Sequence, residues 1–235
     1  MARFKILKKG SVQEYRGYRI NSSYDLSEFT LNALISTLTR ARFHLENLTA
    51  VRLDFSIKKA PLDEYIGCSN PDVMCCFNEF MNRLYKVESI EYFMNWKLEW
   101  SESKGFHIHA VFYFNHSLIK TFSLTSNTYK LFNERWDSAT EGNGNINICK
   151  SSIALKEDAY SVSGEQSYHS VIIPKDIALL SRMDLNDNAL KFHLQKLQLN
   201  KKCGFFHWVS YLAKTDQLAP NHWKCFGTKT KINES

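Results

Sequence analysis

A chain of 235 residues, 44% of them hydrophobic, is long enough for one sizeable core and too apolar for a disordered protein. Its net charge of +6 is a moderate basic bias, compatible with a polyanionic partner, and the basic residues near the ends (Arg3, Lys5, Lys8 and Lys9; Lys224, Lys229 and Lys231) read as solvated tails. The six cysteines, Cys68, Cys75, Cys76, Cys149, Cys203 and Cys225, contain no Cys-x-x-Cys pair. Residues 1–10 lack the apolar core of a signal peptide, and no run approaches membrane-spanning length. The expectation is a soluble cytoplasmic protein with reduced thiols and no membrane partner.

In chain order, residues 15–20 suit a short strand. Asp25 or Ser27 then caps a helix over 26–45, whose apolar residues recur at helical spacing through Leu31, Leu34, Ile35, Leu38, Ala41, Phe43 and Leu45, with Arg40 and Arg42 toward solvent. Residues 48–57 alternate as a strand, with Val51, Leu53, Phe55 and Ile57 on one face and Arg52, Asp54 and Ser56 on the other. After a loop at 58–71, an amphipathic helix is expected over 72–87, with Val73, Cys76, Phe77, Phe80, Leu84 and Val87 inward.

Residues 94–114 read as a β-hairpin, two runs of aromatic and β-branched residues around a polar loop that ends in Gly105. Alternation sends His107 and His109 to one face and Phe106, Ile108, Ala110 and Phe112 to the other. Folding about the loop sets Glu99 opposite His107 and Lys97 opposite His109, which puts two imidazoles and a carboxylate within cross-strand reach. That is a cradle for a divalent metal or a phosphate, and the donor set suits Zn, Mn or Fe, or Mg once phosphate oxygens complete the shell. Asp54 is either a carboxylate close to this site or part of a solvated strand face with Arg52.

A further helix is expected over 124–139, a Gly-rich turn at 141–144 and a strand over 145–150. The stretch 151–168 is polar and irregular, and helices are expected over 174–183 and 188–199. Strand, helix, hairpin, helix and strand make an α+β arrangement, a central antiparallel sheet with helices packed on one face. Residues 204–217 read as a last helix between a glycine and Pro220, with Phe205, Val209, Leu212 and Ala213 as its apolar stripe. His207, Tyr211 and Lys214 lie along another face. A tyrosine with a lysine one turn onward suits attack on phosphate, and an ordinary amphipathic helix with surface Tyr and Lys accounts for the same residues.

The His-hydrophobic-His strand and the downstream Tyr-x-x-Lys together resemble the HUH endonucleases, and in more detail the inovirus-type replication initiators and their prophage relatives, the YagK/YfjJ family. The resemblance runs over roughly 48–227. It rests on Val51-Arg52-Leu53-Asp54, Leu98-Glu99-Trp100 before Gly105-Phe106-His107-Ile108-His109, Trp136 before the Gly-rich turn, Ser210-Tyr211-Leu212-Ala213-Lys214 and Lys224-Cys225-Phe226-Gly227. It implies an RRM-like palm as one catalytic domain, with an arm and helix at 1–47, the sheet core at 48–150 and a helical part at 151–235. It further implies Mg or Mn on His107, His109 and Glu99, with Asp54, Arg52 and His207 as candidates for places just behind them. Tyr211 would be the single nucleophile, with Lys214 beside the phosphate. The implied activity is nicking and joining of single-stranded DNA at a phage, plasmid or prophage origin, through a 5′-phosphotyrosine, alongside host replication proteins. The alternatives are a catalytically silent DNA-binding regulator on the same fold and a His-based hydrolytic metalloenzyme.

Overall fold

The computed structural model describes residues 5–45, 48–57, 72–102, 104–115, 119, 122, 124–149, 171–173, 205–215 and 225–232. The loop expected at 58–71, the irregular stretch at 151–168 and the helices at 174–183 and 188–199 lie outside the described residues.

The chain begins with short antiparallel pairings, β1 (Ile6–Leu7) with β4 (Leu26–Ser27) and β2 (Glu14–Tyr15) with β3 (Tyr18–Arg19). A strand expected at 15–20 is therefore a small hairpin. Arg16 and Gly17 both take positive φ, 51° and 82°, the geometry of a tight two-residue turn. Helix α1 (Glu28–His44) follows, and the Ser27 hydroxyl accepts from the Thr30 amide at 3.3 Å, satisfying one of the first-turn donors. Leu31, Leu34, Leu38 and Ala41 are buried, whereas Phe43 is 50% exposed and Arg42 half-buried, the reverse of the expected assignment at that end.

Strand β5 (Leu48–Ile57) has the expected limits, and α2 (Asp72–Tyr85) buries Val73, Phe77, Phe80 and Leu84 as expected. Strands β6 (Tyr92–Ser101) and β7 (Gly105–Asn115) form the hairpin in the register expected, Lys97 opposite His109 and Glu99 opposite His107. Gly105 closes the loop at φ +67°, a conformation that a side chain disfavours. Helix α3 (Asn127–Ala139) is capped by Ser126 at its start and by Thr140 at its end, and a turn leads into β8 (Gly144–Ile148). A Cβ on Gly144 would stand 2.5 Å from Trp136 Nε1, so only glycine lets β8 lie this close to the helix.

Among the described residues three further elements follow: β9 (Val171–Ile173), α4 (Phe205–Val209) running into a 3-10 turn over Ser210–Ala213, and β10 (Phe226–Lys231). The antiparallel sheet has the order β10–β6–β7–β5–β8, and β9 pairs with the other end of the β5 edge that holds β8. The last basic cluster is not simply a solvated tail. Lys229 and Lys231 belong to β10, and Lys231 is buried with its ammonium on the Val87 carbonyl.

Both faces of the sheet carry helices, which corrects the one-sided packing expected. On the first face Phe55, Trp96, Phe112 and Phe114 pack with Phe77 and Phe80 of α2 and Phe132 and Trp136 of α3. Burying this aromatic cluster supplies much of the driving force for folding. On the second face Phe93, Val111 and Tyr113 lie beyond the histidines and are buried beneath α1 and the 205–213 segment. Asn95 on that face donates to Thr37 Oγ1 of α1 at 2.9 Å, so the helix is tied to the sheet as well as packed on it. The second face is thus apolar at one end and charged at the other. None of the described helices is long and apolar enough to cross a membrane.

Candidate active site

The charged end of the second face is laid out by strand register. One row across the sheet holds Lys97, His109, Asp54 and Asn147; the next holds Glu99, His107, Ser56 and Asn145. Because directly opposed residues share a face, these side chains converge without help from any loop. His107, His109, Glu99 and Lys97 are all buried, and Glu99 is fully so.

Both imidazoles aim Nε2 at one oxygen. Glu99 Oε2 lies 3.1 Å from His109 Nε2 and 3.9 Å from His107 Nε2. Each ring is held from behind through Nδ1. His107 Nδ1–H donates to the Gly105 carbonyl at 3.0 Å, which leaves the Nε2 lone pair free to ligate, and His109 Nδ1 bonds to Asp54 Oδ1. A carbonyl or carboxylate on the far nitrogen is the usual support of a metal-ligating histidine. Glu99, His107 and His109 present three ligand atoms within 4.8 Å of one another, so these residues can hold a divalent ion.

Burial pushes the Glu99 carboxyl up, but the His109 bond and the Lys97 charge outweigh it and hold Glu99 well below the usual carboxylate range. Burial likewise raises Asp54, and the His109 hydrogen bond and charge bring it down to about 2. Burial lowers His107, against the Gly105 bond, which keeps that imidazole neutral and ready to ligate. Both carboxylates are therefore anionic at neutral pH.

Tyr211 and Lys214 stand over this cradle. The Lys214 ammonium donates to the Tyr211 hydroxyl and lies 2.9 Å from Glu99 Oε2. The Tyr211 ring meets His109 edge-on at a centroid distance of 5.3 Å, and the Arg52 guanidinium lies 4.1 Å from the ring centroid. Burial raises the phenol's pKa; the Lys214 bond opposes that without reversing it. Burial works to lower Lys214, and the Tyr211 and Glu99 hydrogen bonds outweigh it, so the ammonium stays charged.

The long helix expected over 204–217 is here five α-helical residues and a 3-10 turn. Lys214 follows that turn and bridges to Leu26 of β4, and the Thr215 amide donates to the Asp25 carbonyl at 2.8 Å. The N-terminal arm thereby fixes the tyrosine turn, and Tyr24 adds an edge-on contact to Tyr211 at 5.5 Å. His207 is not brought to the cradle. It is half-buried near Arg19, in the helix that packs against β3.

Two residues acquire a place here that sequence reasoning did not give them. Lys97 is 2% exposed, and its ammonium donates to the Lys214 carbonyl at 2.6 Å and pairs with Glu99 Oε1 at 2.7 Å. Its register opposite His109 was legible; its long reach to the tyrosine turn was not. Cys149 lies within ligand distance of Asp54 and His109, with its amide on the Arg52 carbonyl at 2.9 Å, and burial pushes its thiol up so that it stays protonated.

Comparison of the chain with protein-family models, with curated proteins and with solved structures finds no match. The Asp54 contact gives a first test. Asp54→Asn keeps the shape but removes the anion that orients His109, and divalent-metal affinity is expected to fall about 10–100-fold, measured by calorimetric titration with Mn.

Proposed function

We propose that this protein is a metal-dependent endonuclease for single-stranded DNA, which nicks and rejoins a strand through a covalent bond to Tyr211, as an HUH-type rolling-circle replication initiator does. The observation that carries the reading is the meeting of the Tyr-x-x-Lys turn with the histidine hairpin. The phenol is one hydrogen bond from Lys214, whose ammonium is 2.9 Å from the carboxylate oxygen on which both imidazoles converge.

His107, His109 and Glu99 would hold Mg or Mn, which supplies Lewis-acid polarisation of the scissile phosphate and a template for it. Lys214 holds the phenol oxygen by donating to it and stabilises the negative charge that develops as the phenol proton leaves. Arg52, over the ring, adds to that stabilisation. Tyr211 Oη forms a bond to phosphorus, and the bond from phosphorus to the 3′ oxygen breaks. The 3′ oxygen gains a proton to match the one the phenol loses. The products are a 5′-phosphotyrosine and a free 3′-OH, which can prime synthesis and later reverse the step to join the strand. The basic balance of the chain agrees with a polyanionic substrate.

The test is incubation of purified protein with single-stranded DNA of phage and plasmid origins in the presence of Mn. Strand cleavage with a protein–DNA species on a denaturing gel is expected, and chelation by EDTA should stop it. Cleavage with no protein-bound product would favour instead a hydrolytic metalloenzyme built on the two histidines.

A further inference from the structure

Beside the cradle lies a second set of metal-ligating side chains, and the two sets share His109. Asp54 of β5 stands opposite His109 of β7 and, on its other edge, opposite Asn147 of β8. Cys149 lies two residues beyond Asn147, and its amide continues the ladder onto the Arg52 carbonyl at 2.9 Å. Strand alternation therefore puts its thiol on the same face, next to Asp54. One ligand atom each from Asp54, His109 and Cys149 lies within 4.8 Å of the others. The thiol bonds to the Asp54 carboxylate, which bonds in turn to His109 Nδ1. Glu99, His107 and His109 are buried, whereas Asp54 and Cys149 are half-buried and Asn147 is exposed, so this trio opens toward solvent.

A thiolate, an imidazole and a carboxylate make a softer donor set than two imidazoles and a carboxylate, and thiolate selects zinc over magnesium and manganese. Ligand atoms around a tetrahedral zinc stand about 3–4 Å apart, so the trio needs only a small closure to hold one. We propose that Cys149, Asp54 and His109 Nδ1 form a second site, for zinc, whose filling excludes metal from the cradle of His107, His109 and Glu99. The exclusion follows from the shared imidazole. A neutral ring carries one N–H and one lone pair. With zinc on Nδ1, the ring proton sits on Nε2 and is donated to Glu99 Oε2, 3.1 Å away. His109 then has no lone pair for the cradle, and Asp54 has left its place behind the ring. Zinc binding releases one proton, from the Cys149 thiol, and the Arg52 charge favours the thiolate that forms. The thiolate site stands without the nickase reading. The exclusion rests on that reading and deepens it, making zinc an inhibitor of the chemistry at the cradle.

The experiment loads the full chain with one equivalent of zinc and reads the metal's ligand shell by X-ray absorption at the zinc edge. One sulfur at about 2.3 Å, beside nitrogen and oxygen at about 2.0–2.2 Å, is expected. A shell of nitrogen and oxygen alone, which zinc in the cradle would give, overturns the proposal. Cys149→Ser should lose the sulfur; a sulfur that stays puts the metal on another cysteine and overturns it too. The wild-type shell can refute the site even where that variant does not fold. Exclusion is read by electron paramagnetic resonance of manganese. Protein loaded with Mn should release it, mole for mole, as zinc is added and the sulfur shell forms. Manganese that stays bound beside zinc–sulfur coordination would contradict the exclusion. Neither readout depends on strand cutting, so wild-type protein that cuts no DNA defeats the nickase reading and leaves the zinc site standing.

Discussion

Replacing Tyr211 by phenylalanine is expected to remove the protein–DNA adduct, with strand cleavage reduced by on the order of 10⁶, the loss that deleting a covalent nucleophile produces in well-studied hydrolases. The variant is a sharp one because so little else changes. The phenyl ring keeps its edge-on contacts with His109 and Tyr24 and its place beneath the Arg52 guanidinium. Lys214 loses the phenol oxygen and retains Glu99 Oε2 at 2.9 Å, so its charge stays paired. Stability should therefore shift by no more than about 1 kcal/mol, the worth of one hydrogen bond. Thermal denaturation beside the gel assay separates the two effects: adduct lost, melting temperature nearly unchanged. An adduct that survives the substitution rejects Tyr211 as the nucleophile.

Glu99→Ala is expected to act in the opposite manner, through the fold and the metal together. Glu99 is completely buried and is the shared anion of Lys97, Lys214 and His109. Its removal takes away the carboxylate that both ammonium groups share, and breaking a buried ion pair from one side costs about 3–5 kcal/mol. The chain also loses its only carboxylate ligand among the three atoms of the metal cradle. Denaturant unfolding should show the loss of stability, and calorimetric titration should show no Mn binding. Glu99→Gln, which keeps the shape and an acceptor oxygen, should recover part of the stability and little of the metal affinity. If Glu99→Ala unfolds at the wild-type denaturant concentration, the carboxylate is not the electrostatic centre of the site.

The contrast between these variants reflects how the site is encoded. His107, His109, Glu99 and their register were legible in the sequence, because strand alternation and a short hairpin loop fix cross-strand partners from local information alone. Asp54 was legible as a neighbour for the same reason, once β5 is set beside β7. What local pattern could not tell is which groups arrive from far along the chain. Lys97 reaches the Lys214 carbonyl across 117 positions, and Asp25 accepts from the Thr215 amide across 190. β10 went unread because Phe226 followed by glycine, threonine and lysine carries no strong apolar alternation and becomes a strand only by pairing with β6. The one-sided packing failed for a related reason. Val111 and Tyr113 continue the histidine face beyond the charged end, and an apolar pair there demands a helix over it. The length of α4 was overread, since the 3-10 turn at Ser210 is tied down by the Asn21 amide bonding to the Ser210 hydroxyl at 2.8 Å, a contact that helical spacing does not show.

On the proposed function, a phenol on the late turn, over a cation held by the hairpin, becomes covalently attached to DNA. The direct measurement is mass spectrometry of proteolysed adduct, formed with Mn and a labelled single strand. A nucleotide linked by its 5′ phosphate to the peptide containing Tyr211, and to that residue within the peptide, is expected. A nucleotide mapped to any other residue, or cleaved DNA that leaves no mass on the protein, would contradict it.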